Sequence, residues 1–184
     1  MKRAGFIFIA VLFLISFSTA TEYSFSFRGY YFNPSEKAFR DIYGAGMGFG
    51  LESGLQLAGN IDFRIAVGSF QKKGQMTFSE EEINLSIVPI EIGIRYRIIS
   101  GGISPYVGVG LGYFSFKEAT PIGTAKTTKL GYSAQTGVII GVIKGLYLDC
   151  FLNYSSCKIK PSTIETNIGG FSAGVGVGYR FGES

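Results

Sequence analysis

The stretch IEIGIRYRI at residues 90–98 alternates bulky apolar residues with glycine and charged residues. Ile90 and Ile92 fall on one parity, whereas Glu91 and Arg95 fall on the other. A period of two places successive side chains on opposite faces of a β-strand. The stretch is therefore predicted to form a strand with one bulky apolar face and one small or charged face.

The same alternation runs through most of the chain. It defines eight segments, at residues 22–32, 46–57, 60–70, 82–99, 104–116, 129–142, 145–156 and 169–181. Short turns alternate with long connections, and the long ones cover residues 33–45, 71–81, 117–128 and 157–168. Short turns at one rim and long loops at the other are typical of a bacterial outer-membrane barrel. The predicted fold is all-β, an eight-stranded antiparallel up-and-down transmembrane β-barrel.

One irregularity interrupts the fourth segment. Ile83, Leu85 and Ile87 lie on the parity opposite to that of the later isoleucines. The parity changes at Val88-Pro89, and proline cannot donate a hydrogen bond to a neighbouring strand. The pattern predicts a β-bulge at this point.

The amino terminus has the pattern of a secretory signal peptide. Lys2 and Arg3 precede an apolar run at residues 6–17, and small residues follow at 18–20. A membrane-spanning anchor would need about 20 apolar residues, more than this run provides. The predicted division is a cleavable signal peptide at residues 1–20 and a barrel domain at residues 21–184, exported to the cell outer membrane.

Composition excludes several classes of function. The 184 residues contain no His, which rules out His-assisted catalysis and His-containing zinc sites. Without Lys2 and Arg3, the net charge of +4 falls to +2, too small for nucleic-acid binding. The two cysteines cannot form a disulfide framework. No catalytic residue, cofactor or metal is predicted, and the protein is predicted not to be an enzyme.

Charge placement decides which face of the strands points inward. After residue 20, every Lys lies in a loop or at a strand end, whereas five Arg lie within strands on the small, polar face. Small residues fit the narrow interior of an eight-stranded barrel, so the bulky set is predicted to face lipid. The predicted interior charge network, with Arg paired to acids, consists of Arg28, Glu52, Asp62, Arg64, Glu91, Arg95, Arg97, Asp149 and Arg180. Depth along the strands predicts Glu52, Arg64, Glu91 and Arg95 as its centre.

Three stretches carry a resemblance to a known family. Residues 29–35, 105–113 and 176–181 resemble the first hairpin, the central strand and the C-terminal signal of small outer-membrane β-barrels of the OmpA/OmpX type. The resemblance covers the region after residue 20. It implies a membrane-embedded barrel whose signal, with Gly176, Tyr179 and Phe181, is read by the barrel-assembly machinery. Many family members end on the final Phe, whereas this chain continues for three residues.

The first long loop has the pattern of a short helix. Asn33 is predicted to cap it, with Pro34 at its first position and Gly44 at its end. Its apolar face consists of Ala38, Phe39, Ile42 and Tyr43. This face is predicted to pack as a cap on the barrel mouth, and the alternative is a binding surface.

The two cysteines are predicted to differ in exposure. The parity of Cys150 places it among the lipid-facing residues, whereas Cys157 follows the strand on the other parity. About 23 Å of strand separates them, beyond the reach of a disulfide. Because Cys157 lies at the end of the strand and off the lipid-facing parity, it is predicted to react readily from outside.

These features predict an integral outer-membrane barrel that is non-enzymatic, structural or partner-binding through its extracellular loops. Its predicted partners are outer-membrane lipid and the assembly machinery, the extracellular partner is unknown, and the predicted state is a monomer. Three alternatives stay open: a narrow passive pore for small solutes, a soluble periplasmic lipid-carrying barrel, and a lipid-modifying enzyme. The filled interior of an eight-stranded barrel argues against the pore. Family enzymes of the last kind depend on His.

Overall fold

A computed structural model describes residues 22–75, 82–120, 123–159 and 166–182. The predicted signal peptide lies outside the described residues. Within them, the elements are β1 (Glu22–Pro34), α1 (Lys37–Tyr43), β2 (Gly46–Ala58), β3 (Ile61–Gln75), β4 (Glu82–Arg97), β5 (Ile103–Thr120), β6 (Gly123–Ile143), β7 (Leu146–Ser156), β8 (Lys158–Ile159), β9 (Thr166–Asn167) and β10 (Gly170–Gly182).

Eight of the described strands close into one antiparallel barrel. Around its wall the order is β1, β10, β7, β6, β5, β4, β3 and β2, so sequence neighbours pair and β1 meets β10. The closing pair runs from Glu22–Gly182 to Pro34–Gly170. The separate strands β8 and β9 pair with each other outside the barrel sheet. The predicted eight-stranded up-and-down barrel is confirmed.

Side-chain size explains why the small residues point inward. A Cβ added at Gly174 would lie 2.7 Å from the Cβ of Tyr30 and 2.8 Å from the ring of Phe151. Bulky apolar residues cover the outer wall instead, where Phe49, Val109 and Leu111 are each about half exposed or more. The interior is therefore narrow and filled by side chains, as expected for eight strands.

The predicted bulge at Val88-Pro89 is wrong. Val67 pairs with Ile90 and Phe70 with Ile87, so the register of β3 and β4 is the same on both sides of Pro89. Ile83, Leu85 and Ile87 point into the barrel together with Glu91. The apolar residues change face because this part of β4 rises beyond the lipid belt, where the inside is the only apolar environment.

Two predicted loops contain strand. β3 continues into the connection at residues 71–81 as far as Gln75, and β5 and β6 extend through most of the connection at residues 117–128. β5 has 18 residues and β6 has 21, whereas a tilted strand crosses a bilayer in about 9–11 residues. The extra length raises the β3–β6 part of the wall above the membrane surface.

An apolar cluster fills the outer end of the barrel, and we call it the outer core. It consists of Phe32, Phe39, Tyr43, Phe70, Ile83, Leu85, Ile87, Phe114, Phe116, Cys157, Ile159 and Ile168. Each member is buried within the protein, and none of them faces lipid. Their burial removes apolar surface from water, and this stabilises the raised part of the wall.

Helix α1 packs on this outer core. Phe39 lies 6.4 Å from the ring of Phe116, and both Phe39 and Tyr43 are buried, while Ile42 stays partly exposed. Gly44, with a φ of 68°, ends the helix, and its N–H donates to the carbonyl oxygen of Arg40. The predicted end of the helix is confirmed, and half of its predicted apolar face covers the barrel mouth.

The predicted start of the helix is wrong. Asn33 and Pro34 belong to β1 and pair with Phe171 and Gly170, so the helix begins later, at Lys37. Pairing with β10 holds the chain extended through Pro34. The extended backbone prevents Asn33 from capping the helix.

The prediction that Cys157 is accessible from outside is also wrong. Cys157 is 1% exposed, and its Sγ lies 3.8 Å from the carbonyl oxygens of Lys129 and Leu130. Burial raises the pKa of this thiol to about 11. Its parity directs it inward, and above the membrane the inward side is the outer core. Cys150 lies on the outer wall, as predicted.

We expect both cysteines to react slowly with a water-soluble maleimide in native membranes. Cys150 faces acyl chains, and Cys157 is buried and protonated at neutral pH, whereas the thiolate is the reactive form. The measurement is the labelling rate before and after unfolding in urea. Lys158→Cys in a chain without the native cysteines is the matched control and should label quickly. Fast labelling of native Cys157 would contradict the packing of the outer core.

Candidate functional site

The candidate site is the polar interior of the barrel. All nine residues of the predicted network lie on the inward parity of their strands. Eight of them are buried, and the side chain of Arg180, at the inner rim, is 25% exposed. Ion pairs divide the network into a middle group and a lower group.

Glu52 is the centre of the middle group. Its Oε2 lies 2.6 Å from Nη1 of Arg28 and 3.1 Å from Nη1 of Arg64. Its Oε1 accepts a hydrogen bond from Nη2 of Arg95. One buried carboxylate on β2 thus contacts guanidinium groups from β1, β3 and β4, so it links four elements of the barrel wall.

Two further acids complete the middle group. Arg64 lies 3.1 Å from Glu91, which also accepts a hydrogen bond of 2.9 Å from the hydroxyl of Ser133. Arg28 pairs with Asp149, which accepts a hydrogen bond of 2.9 Å from the hydroxyl of Tyr106. These contacts extend the network across the lumen to β5, β6 and β7.

Aromatic rings support two of the guanidinium groups. Arg28 lies 4.3 Å from the ring centroid of Phe151, and Arg95 lies 4.4 Å from that of Tyr106. A planar guanidinium can stack on a ring while it donates hydrogen bonds at its edge, which an ammonium group does not do. This arrangement explains why Arg occupies these positions.

The lower group lies near the inner rim. Nη2 of Arg97 lies 3.1 Å from Asp62, and Glu22 lies 3.6 Å from both Arg97 and Arg180. The middle group joins three Arg to three acids, and the lower group joins two Arg to two acids. Each group is therefore neutral in charge.

Sequence reasoning missed several members of this site. Glu22, Tyr106 and Ser133 contact the network but were not predicted as part of it. Glu22 shares its parity with Arg28, and this signal could have identified it. The four residues predicted as the centre lie together, but Glu91 is linked to Arg95 only through Arg64 and Glu52.

Small cavities remain inside the barrel on either side of the network. The upper one has a volume of about 80 Å³ and lies between Arg28, Arg64 and Glu91 and the aromatic residues of the outer core. The lower one has a volume of only about 10 Å³ and lies beside Asp62 and Arg97. Below it, an inner vestibule of about 370 Å³ lies at the end near Tyr147 and Arg180.

The upper cavity is lined by polar groups that lack protein partners. The side-chain amide atoms of Gln135 and the Oδ1 of Asn153 form no hydrogen bond with any described residue. A cavity of this size with such polar groups in its wall has room for several water molecules, each of which can form two to four hydrogen bonds. A drug-sized molecule would not fit in this cavity.

The described part of the chain offers no other obvious centre of chemistry. Its residues contain no group of three or more His, Cys, Asp or Glu arranged to hold a metal ion. None of its helices has the length and hydrophobicity required to cross a bilayer.

The predicted assembly signal lies on β10. Gly176 faces the lumen between Arg28 and Asp149, and a Cβ there would lie 3.0 Å from Cγ of Arg28. Tyr179 and Phe181 face outward near the inner rim, with ring centroids 4.7 Å apart. Their role as a signal for the barrel-assembly machinery stays a prediction.

Comparison with known proteins identifies the class of barrel. A family model described as the outer membrane protein beta-barrel domain matches residues 9–181. Sequence comparison with curated proteins gave no significant match.

Several solved structures share the fold. OprG of Pseudomonas aeruginosa is 13% identical with a TM-score of 0.72, and the match covers 90% of this chain and 98% of OprG. Neisserial surface protein A is 17% identical with a TM-score of 0.65, covering 87% and 97%. Ail of Yersinia pestis, in complex with the heparin analogue sucrose octasulfate, is 16% identical with a TM-score of 0.61, covering 88% and 99%.

Proposed function

The chain belongs to the outer membrane protein β-barrel family and is located in the outer membrane, and from this premise we propose that it is a closed, non-enzymatic barrel that acts through its outer surface. The observation that carries the proposal is the presence of two barriers in series inside the lumen. The ion-paired network forms the first barrier, and the outer core forms the second.

The first barrier is electrostatic. An ion that crosses the middle group would have to separate charges that are buried and paired with each other around Glu52. A buried charge that loses its partner costs several kcal/mol. Such a rearrangement would be needed for each passage, because the space on the lower side of the middle group is only about 10 Å³.

The second barrier is apolar. Residues from β1, β3, β4 and β5 meet at the outer end, and helix α1 covers them. A hydrated ion gains no hydrogen bond in such a layer, so its transfer is unfavourable. A polar solute that entered from the inner vestibule would therefore meet a charged layer first and an apolar layer afterwards.

The other candidate functions have less support. The comparisons indicate no enzyme family, and the chain has no His for the lipid chemistry that depends on it. A soluble periplasmic carrier does not agree with an outer-membrane location or with a bulky apolar outer wall. The raised β3–β6 wall and α1 leave an outer surface on which a partner can bind.

We expect the folded protein to give no steady ohmic conductance in planar lipid bilayers. Both barriers must open before ions pass, and each is formed by buried side chains. Folding should be verified by the usual difference in gel mobility between heated and unheated samples, and a wide bacterial porin should be inserted in the same bilayers as a positive control. Steady single-channel steps from the verified barrel would contradict the proposal and favour the pore.

A further inference from the structure

We propose that the outer wall of the β5–β6 hairpin binds the phosphate group of an outer-leaflet lipid. The site consists of Lys117 and Lys126 with the hydroxyl groups of Ser115 and Thr128 beneath them. It lies on the lipid side of the wall, so it is independent of whether the lumen is closed.

The pairing of β5 with β6 orders the outward residues by polarity along the wall. From the membrane centre outward, successive cross-strand pairs are Val109–Ala134, Leu111–Tyr132, Tyr113–Leu130, Ser115–Thr128 and Lys117–Lys126. Apolar pairs are thus followed by pairs that contain a tyrosine, then by a pair of hydroxyl groups and finally by a pair of ammonium groups. This is the order in which a strand meets acyl chains, the interface and the headgroups.

The upper pair places two like charges directly opposite each other. Lys117 pairs with Lys126, and such neighbours in a sheet have Cβ atoms about 4.5–5.5 Å apart. Like charges at this separation repel each other and destabilise the pairing. Both side chains are exposed. An anion bound between the two ammonium groups would remove this repulsion.

No acid from the described residues neutralises the pair. The described acid closest in sequence, Glu118, has the opposite parity and forms a hydrogen bond with Tyr43 of α1. On the side of β4, Lys117 pairs with Ser86 rather than with an acid. The face therefore offers two charged donors and several hydroxyl donors to one anion.

The height of the site matches the lipid headgroups. Lys117 lies four residues beyond Tyr113, which is about 13 Å along the strand and less along the membrane normal because barrel strands tilt. Lys side chains can bend toward the interface from such a position. The headgroup layer extends several Å beyond the hydrocarbon on each side. A lipid phosphate is therefore the anion within reach, and its acyl chains can lie on Leu111 and Leu130.

The test compares lipids and variants in one titration. The full mature chain is folded in zwitterionic detergent and titrated with diphosphorylated lipid A, with native mass spectrometry to count bound lipid. Dephosphorylated lipid A, inorganic phosphate at the same phosphate concentration, and sucrose octasulfate are titrated in parallel. The double variant Lys117→Gln/Lys126→Gln is compared with Lys144→Gln, which removes one charge at the opposite rim.

We expect lipid A to bind the double variant about 25-fold more weakly than it binds the native chain, since each Lys near an anionic surface contributes about 1 kcal/mol. The Lys144→Gln variant should bind lipid A as tightly as the native chain does. Dephosphorylated lipid A should bind neither the native chain nor the Lys144→Gln variant. Unchanged affinity in the double variant, or an equal loss in Lys144→Gln, would overturn the proposal. Tighter binding of inorganic phosphate or sucrose octasulfate at these lysines would overturn the assignment to a lipid.

A second measurement keeps the test independent of folding defects. In vesicles of phosphatidylcholine alone, Lys126→Gln should raise the urea midpoint of unfolding, because it removes the repulsion between Lys126 and Lys117. Addition of diphosphorylated lipid A should raise the midpoint of the native chain more than that of the variant. A lower midpoint for Lys126→Gln in phosphatidylcholine would mean that the pair is not strained by repulsion, and would contradict the proposal.

Discussion

Replacing Glu52 with Gln should lower the free energy of unfolding of the barrel by about 3–5 kcal/mol, the range for breaking a buried ion pair from one side. Glu52 is almost fully buried and contacts Arg28, Arg64 and Arg95. The amide keeps the size of the side chain but removes its charge. The middle group would then contain three Arg and only two acids. Urea unfolding of the protein in lipid vesicles measures the effect.

Two comparisons separate this effect from a general loss of packing. Glu22→Gln changes an acid of the lower group whose side chain is 19% exposed, so it should cost less, near the range of about 0–1 kcal/mol for partly solvated pairs. Glu52→Gln combined with Arg95→Gln should cost less than the sum of the single changes. The double variant retains the pairs Arg28–Asp149 and Arg64–Glu91, so its middle group stays neutral. Additive losses would argue against a coupled network.

The pairing of Glu52 with Arg95 could not be predicted from the sequence alone. Parity along each strand predicted which charges point inward, and counting residues placed Glu91 and Arg95 at comparable depth. The contacts depend on the stagger between strands and on how far each long side chain reaches. Arg95 on β4 reaches past β3 to Glu52 on β2 instead of contacting Glu91 on its own strand. Such choices require the closed geometry of the barrel.

The strands themselves could be predicted because the environment on each side differs so strongly. A lipid-facing position needs a bulky apolar side chain, and a position in the narrow lumen needs a small or paired one. The alternation at residues 90–98 satisfies both requirements in one segment. The membrane-spanning parts of all eight barrel strands follow the same rule, and this explains why the eight strands could be predicted from alternation.

The same rule failed above the membrane, and for one reason. There the outer face of the wall is in contact with water, and the inside becomes the apolar side. The sequence pattern therefore predicts a β-bulge between Leu85 and the later isoleucines and an exposed thiol at Cys157, and both predictions are wrong. Leu85 and Cys157 are both members of the outer core. The alternation along a strand does not itself change where lipid ends, so the reversal became visible only in the structure.

The second large effect concerns the outer wall, where Val175→Arg should lower the free energy of unfolding by about 2–4 kcal/mol, the range for Arg at the bilayer midplane. The outward pairs of β7 and β10 run from Tyr154–Phe171 through Leu152–Ala173, Cys150–Val175 and Leu148–Val177 to Leu146–Tyr179. Aromatic residues lie at both ends, and the pair Cys150–Val175 is the middle one. Val175 is about half exposed on the wall, so an Arg there would face acyl chains.

Depth provides the control for this prediction. Leu148 lies one pair closer to the inner end than Cys150, so Leu148→Arg can direct its guanidinium toward the inner interface and should cost less than Val175→Arg. Val175→Ala removes apolar volume without adding charge and should also cost less. Unfolding in urea from vesicles of one lipid composition measures all three variants. Equal losses for the two Arg variants would show that the effect is not set by depth. A neutral Val175→Arg would mean that this face of β10 does not contact the hydrocarbon core, because a guanidinium there has no partner that could offset its desolvation.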